Sequence, residues 1–417
     1  MVLKRVVVTG MGAITPLGNN LQAYWEGLLA GISGAAPITQ FDAARFRTTF
    51  ACEVKGFDPH DYFDKKEARK LDRYTQFAMV AVDEALKDSG LNLETVNKDR
   101  VGVIYGSGIG GLHTLEEEME QYYTSPERIP RFSPFFIPKM ILDIAPGQIS
   151  IKYGFRGINY ATVSACATST HSMINAFNYI QLGKADIIVC GGSEAAVTQS
   201  GIGGFSAMKA LSARNDDPAT ASRPFDLDRD GFVLGEGAGA LIFEDYDHAV
   251  KRGARIYAEV VGAGMTADAY HITAPHPEGL GANMVMKQAL NDAGMQPSDI
   301  DYINVHGTST PLGDVSEVTA IANVFGPAVY DLNISSTKSM TGHLLGAAGA
   351  IEGIASILAV KHDIVPPTIN HFTDDPALDP KINFTFNQPQ KRTVRAALSN
   401  TFGFGGKNAS VIVKKLA

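Results

Sequence analysis

Apolar positions recur at helical spacing in two distant stretches of the chain. Phe77, Ala78, Ala81, Val82, Ala85 and Leu86 form one such face, and Met284, Val285, Ala289 and Leu290 form a second. The two stretches end alike, in Ala85-Leu-Lys-Asp-Ser-Gly-Leu91 and Ala289-Leu-Asn-Asp-Ala-Gly-Met295, offset by about half the chain. Each carries a glycine placed to stop a helix. A short linker then leads to a strand-like run and a Gly/Ser/Thr turn, Val101-Gly-Val-Ile-Tyr-Gly-Ser-Gly108 in one copy and Asp301-Tyr-Ile-Asn-Val-His-Gly-Thr308 in the other. The shared order predicts an α/β protein of two duplicated halves.

Further short strands are expected at the N-terminus up to Gly10 and at Ile187–Cys190, Gly239–Phe243, Ile256–Val261, Leu332–Ser336 and Ala409–Val413. Strands alternating with helices predict sheets covered on both faces. The charged cluster between Tyr246 and Arg255 places the boundary there, giving halves 1–250 and 251–417. Leu344–Val360 is the most membrane-like run, but Glu352 and its glycines predict a packed core helix rather than a span.

Composition narrows the function classes. Hydrophobic residues make up 45% of the 417 residues and charged residues 19%, which predicts a substantial core and excludes a disordered chain. A net charge of −8 argues against a broadly basic nucleic-acid-binding surface, so an acidic partner would need a local basic patch. Three cysteines, without a Cys-x-x-Cys pair, are too few for a disulfide framework and predict a reducing, cytoplasmic setting. The N-terminus has no long apolar stretch, and no membrane insertion is expected.

The chemistry concentrates in three Gly/Ser/Thr-rich segments. Cys166 lies in Thr162-Val-Ser-Ala-Cys-Ala-Thr-Ser-Thr170, His306 in Asn304-Val-His-Gly-Thr-Ser-Thr310, and His343 in Lys338-Ser-Met-Thr-Gly-His-Leu-Leu-Gly-Ala-Ala-Gly349. Cys166 sits where a strand-like run, Tyr160–Ser164, meets a helix-like run, Thr168–Leu182. A helix start favours thiolate and offers N–H groups to an oxyanion. His306 follows a strand end, and His343 precedes a helix of small residues, whose start favours neutral imidazole. Each of the three could serve an ordinary structural role alone. Together, a thiol nucleophile and two neutral imidazoles suit carbon–carbon bond formation better than hydrolysis.

Lys338 and Glu352 are charges in small, apolar surroundings. They read either as a buried pair that organises the site or as solvated groups, and Ile351, Ile354 and Ile357 favour burial of Glu352. Cys52 and Cys190 read as inert. No metal-binding run is present, and Gly106-Ser-Gly-Ile-Gly-Gly111 lacks the Gly-Lys-Ser/Thr ending of a phosphate loop.

From Val6-Val-Val-Thr-Gly-Met-Gly-Ala-Ile-Thr-Pro-Leu-Gly18 to Asn400-Thr-Phe-Gly-Phe-Gly-Gly406 the chain resembles the elongating β-ketoacyl-acyl-carrier-protein synthases of type II fatty acid synthesis. The resemblance implies the thiolase fold, two similar halves in a five-layered αβαβα core. It implies Cys166 as acyl acceptor, His306 and His343 as the pair supporting decarboxylation and condensation, and Lys338 and Glu352 as supporting charges. Phe404 is implied as a gate whose N–H joins that of Cys166 in the oxyanion hole. Thr308 and Thr310 match pantetheine contacts, and Gly108, Ile109, Phe136 and Phe205 match acyl-pocket positions. The implied partner is acyl carrier protein bearing acyl or malonyl phosphopantetheine, with a homodimer completing the pocket and no cofactor. Lys66, Arg69 and Lys70, read with Arg73 as one helical face, match carrier-docking positions, joined by Arg131 and Lys209.

The pattern departs from the family's at Ala167-Thr-Ser-Thr-His171 and at Lys407. Three other readings compete. A thiolase would need a second cysteine near Gly403, a chain-length-factor subunit would lack Cys166, and a cysteine hydrolase leaves the second histidine motif unexplained.

Overall fold

The computed structural model describes residues 3–416. Among them, ten strands form one sheet. They are β1 (Val6–Ile14), β2 (Val101–Gly106), β3 (Asn159–Tyr160), β4 (Ile187–Glu194), β5 (Gly237–Asp245), β6 (Ala258–Ala267), β7 (Tyr302–Asn304), β8 (Asn333–Ser335), β9 (Ala396–Gly403) and β10 (Lys407–Lys414), in the order β8-β7-β9-β10-β6-β1-β5-β4-β2-β3. The seam is the short antiparallel pair β1–β6, Val6–Val8 against Ala258–Val260. Outward from it the halves match strand for strand. β1-β5-β4-β2-β3 and β6-β10-β9-β7-β8 each run through two antiparallel and then two parallel pairings.

Helices α1 (Arg73–Ser89) and α2 (Ile144–Tyr153) cover the outer face of the first half-sheet. α3 (Thr168–Gln181) is followed by α4 (Leu280–Ala293), α5 (Pro311–Phe325) and α6 (Ala348–His362). α4 and α5 cover the second half-sheet, while α3 and α6 lie between the two. The result is the five-layered αβαβα arrangement of a thiolase-like fold.

Burial on both faces explains the strand composition. β4 and β5 are buried along their whole length and read as continuous rather than alternating apolar runs. α6 is buried from Ala348 through Val360 and carries apolar residues on every side, with Glu352 and Ser356 as the polar exceptions. That burial accounts for its membrane-like sequence. A Cβ on Gly239 of β5 would lie 2.8 Å from the Ala350 Cβ, so the bare glycine lets α6 approach the sheet. The repeated helix ends are left-handed glycines, Gly90 at φ +61° and Gly294 at φ +62°.

Three expectations are corrected. Lys66 to Arg73 is not one helical face: a short helix, Lys65–Ala68, is capped by Asp64, and α1 starts afresh at Arg73, capped by Asp72. Arg73 turns inward to pair with buried Glu236 at 2.8 Å. The run Tyr160–Ser164 leaves the sheet after Tyr160, because Asn159 and Tyr160 alone pair with β2. β9 was not expected, since Ser399, Asn400 and Thr401 interrupt its apolar pattern. All three are buried, and Asn400 accepts from Ser410 of β10 while Thr401 donates to Thr170 of α3.

Candidate active site

The chain leaves β3, reaches Ser164, and enters α3 through a 3-10 turn, Ala165–Ala167. Ala165 is held at φ +51°, a left-handed conformation that an alanine adopts only under constraint. The turn presents Cys166, buried at 7% exposure, to the centre of the molecule.

His343 arrives from the other half. Its backbone is fixed on both sides, with its N–H donating to the Val233 carbonyl at 2.8 Å and its carbonyl accepting Gly235 N–H at 2.9 Å. The ring stands edge-on to Phe232 at 5.3 Å and brings Nε2 to 3.0 Å from Cys166 Sγ. His306 follows β7. Its N–H and that of Gly307 donate to the two oxygens of Glu317 at 2.9 and 2.8 Å. The His306 ring lies 5.2 Å from that of His343, nearly perpendicular at 86°. Three groups far apart in sequence therefore meet in one cavity of about 540 Å³, whose lining includes Thr308, Thr310, Phe205 and Phe404.

Lys338 and Glu352 form a buried ion pair behind the histidines. Glu317 was missed by sequence reasoning. The available signal was the one that flagged Glu352, an acid among the helical apolar residues Val315, Val318 and Ile321.

Protonation follows from burial. Desolvation pushes the Cys166 thiol up to about 12, against the opposing Lys338 charge and Phe404 N–H. A helix start alone predicts the reverse, and here burial outweighs it. Burial, then the Lys338 charge, holds His343 well below the ordinary histidine range, and His306 is lowered by the same causes with His343 added. The resting site is thus a neutral thiol beside neutral imidazoles. Burial also raises Glu352 and Glu317 to about 7.

The remaining positions divide. Ile109 packs in the apolar cluster of Cys166 and Gly108 lies in the loop after β2, where an added Cβ would stand 3.5 Å from the Ala165 carbonyl, but neither lines the cavity. Phe205 packs on Phe232 and Phe404, with ring centres 5.4 and 6.5 Å apart. Thr308 and Thr310 join hydroxyls at 3.1 Å. Phe136 lies outside the lining of this cavity, stacked on Phe132 at 5.4 Å. Lys66, Arg69, Lys70 and Arg131 are exposed, and Lys70 sits 5.8 Å over the Phe135 ring. Lys209 is exposed at the cavity mouth.

A thiol, two imidazoles and a thiolase-like fold define an acyltransferase of the condensing class. The comparisons are specific within that class. The N-terminal domain of the β-ketoacyl synthases matches residues 3–249 and their C-terminal domain matches 257–372. The chain belongs to the β-ketoacyl synthase family. It is 52% identical over 412 residues to 3-oxoacyl-[acyl-carrier-protein] synthase 2 of Staphylococcus aureus (strain COL), covering 99% of this chain and 98% of that one. A Synechocystis protein of the same description is 50% identical over 412 residues, again covering 99% and 98%. Among solved structures, a β-ketoacyl synthase from Burkholderia phymatum superposes with a TM-score of 0.92 at 34% identity, covering 99% of this chain and 100% of that one. One chain of a solved structure of a type II PKS acyl-carrier protein in complex with its ketosynthase superposes with a TM-score of 0.91 at 32% identity, covering 100% of this chain and 100% of that one.

Proposed function

We propose that this chain is the elongating β-ketoacyl-acyl-carrier-protein synthase II of fatty acid synthesis. It joins a Cys166-bound acyl group to malonyl-acyl carrier protein with loss of carbon dioxide. The observation that carries this reading is the Cys166 Sγ–His343 Nε2 contact of 3.0 Å with the His306 ring set across it.

The neutral thiol gives its proton to His343 Nε2 as sulfur attacks the acyl thioester. The Cys166 and Phe404 N–H groups receive the oxyanion. The carrier's thiolate leaves, taking that proton, and Cys166 holds the acyl chain. The malonyl thioester then enters along Thr308 and Thr310, and its carboxylate leaves as carbon dioxide. The electron pair of the broken bond forms an enolate, whose oxygen faces His306 and His343. Kept neutral by burial and by Lys338, both rings act as N–H donors, His343 after its ring proton has shifted from Nδ1 to the Nε2 that served as base in loading. The enolate carbon attacks the Cys166 thioester, and the expelled thiolate takes a proton from solvent.

The partner is acyl carrier protein, docking at Lys66, Arg69, Lys70, Arg131 and Lys209. The working halves are 1–250 and 251–417, and the enzyme acts in the cytoplasm as a homodimer. The dimer face is the sheet edge at β3, flanked by the exposed apolar residues Ile137, Ile141, Ile151 and Val163. There Phe136 of one copy would complete the pocket of the other. Turnover of malonyl-carrier protein with a ladder of acyl-carrier proteins, read by mass spectrometry, tests the reading. The expected product is longer by two carbons. Free acid formed without malonyl groups would identify a hydrolase instead.

A further inference from the structure

Each half enters its buried helix through the same turn. Ala165–Ala167 leads into α3 and Leu345–Ala347 leads into α6, both as 3-10 segments. Ala165 at φ +51° and Leu345 at φ +46° both sit in the left-handed region. Aligned residue by residue on these turns, Cys166 of the first falls on Gly346 of the second.

The two backbone amides at this position face different things. That of Cys166 is directed at the acyl oxygen in the proposed reaction. That of Gly346 is already occupied, donating to Oε2 of Glu194 at 3.0 Å. Glu194 ends β4 and is fully buried. The same carboxylate accepts Gly108 N–H at 2.8 Å on Oε2, and Ser107 Oγ–H at 2.9 Å, Ile109 N–H at 3.1 Å and Gly110 N–H at 3.3 Å on Oε1. All of its partners are neutral donors, so the anion is held by dipoles alone. Burial raises its pKa and the N–H contacts oppose that rise.

The carboxylate ties the two halves together beside the nucleophile. One oxygen holds both Gly108, in the loop after β2, and Gly346, in the turn before α6. The backbones meet so closely that a Cβ on Gly346 would lie 2.3 Å from Gly108 N. Ile109 and Leu345, each next to one of these anchors, pack in the same apolar cluster as Cys166 and Phe205.

We propose that Glu194 is a positioning residue: a built-in anion in the second half's counterpart of the oxyanion hole that sets the spacing of Ile109 and Leu345, and so selects which acyl chains load onto Cys166. This rests on the reading that Cys166 accepts the acyl chain.

Glu194→Gln preserves size but turns an NH₂ group toward N–H donors at one of the two carboxylate positions, so one anchor opens. Loading of Cys166 is followed by intact mass with butyryl- through palmitoyl-carrier proteins. The expected result is about a tenfold loss for the longest chains relative to the shortest, with the carrier KM within about twofold of the unsubstituted enzyme. An unchanged profile, or an equal fall at every length, would overturn the proposal. Glu194→Ala, checked for folding by circular dichroism, should recover the original profile with formate but not with chloride. A folded variant that formate leaves unchanged would overturn the anion role, and if it does not fold the Gln variant decides. Malonyl condensation by the unsubstituted enzyme is the control. Its failure would sink the condensing reading, whereas the loading profile tests Glu194.

Discussion

At the residue scale, the chemistry depends on groups kept neutral until they react. Cys166 is a thiol at rest, and Nε2 of His343, in contact with it, is the base in the proposed reaction. His343→Ala should therefore slow acyl-enzyme formation about 10²-fold or more, the usual range for a lost general base. His306→Ala should load normally and fail to condense, and intact mass separates the two. Because His343 titrates well below the ordinary histidine range, loading should stay level as pH falls from about 8 to 6. A fall centred near 6.5 would contradict this. Lys338 is one cause of that depression. Removing both buried charges, as Lys338→Met with Glu352→Gln, should move the acid limit upward, toward the ordinary histidine value. Lys338→Met alone leaves a buried carboxylate unpaired, and should cost about 3–5 kcal/mol by denaturant unfolding.

At the element scale, caps and turns decide which side chains face the solvent. The chain breaks between the short helix Lys65–Ala68 and α1, because Asp64 and Asp72 each cap a separate helix start. The break leaves Arg69 and Lys70 exposed while Arg73 is drawn in to Glu236. The proposed docking patch is therefore smaller than a continuous helical face would make it. Arg69→Glu with Lys70→Glu should raise the KM for acyl carrier protein about tenfold at low salt, and the difference should shrink as salt screens the charges. An unchanged KM at low salt would refute the patch. Arg73→Ala should instead lower stability, because it strips the partner from buried Glu236.

At the scale of the whole molecule, the duplicated sheet joins its halves along one short seam and leaves β3 as an edge. The pair Ile151→Glu and Val163→Glu should convert a species of twice 44.5 kDa to one of 44.5 kDa in analytical ultracentrifugation. A single mass for both proteins would rule out this dimer face. Stability should also fall on the alkaline side. Burial raises Cys52 and Cys166 to about 12 and Cys190 well above 9, so the folded state binds these protons more tightly than the unfolded chain does. The stabilisation is complete below about 9 and is lost as pH rises toward 12, read as a falling thermal midpoint. The amphipathic faces ending at Gly90 and Gly294, the strand runs and the three chemical segments were legible in the sequence, because spacing and glycine turns are local properties. β9 was not, because Asn400 and Thr401 find their partners on other elements, Ser410 of β10 and Thr170 of α3, which no local pattern shows. The sequence alone determined that a thiol and two imidazoles were present on a duplicated α/β chain. Tertiary structure decided that they meet at 3.0 and 5.2 Å, that burial keeps them neutral, and that Glu317 and Glu194 hold the loops around them. Proximity and desolvation arise between segments distant in the chain, so no local pattern encodes them.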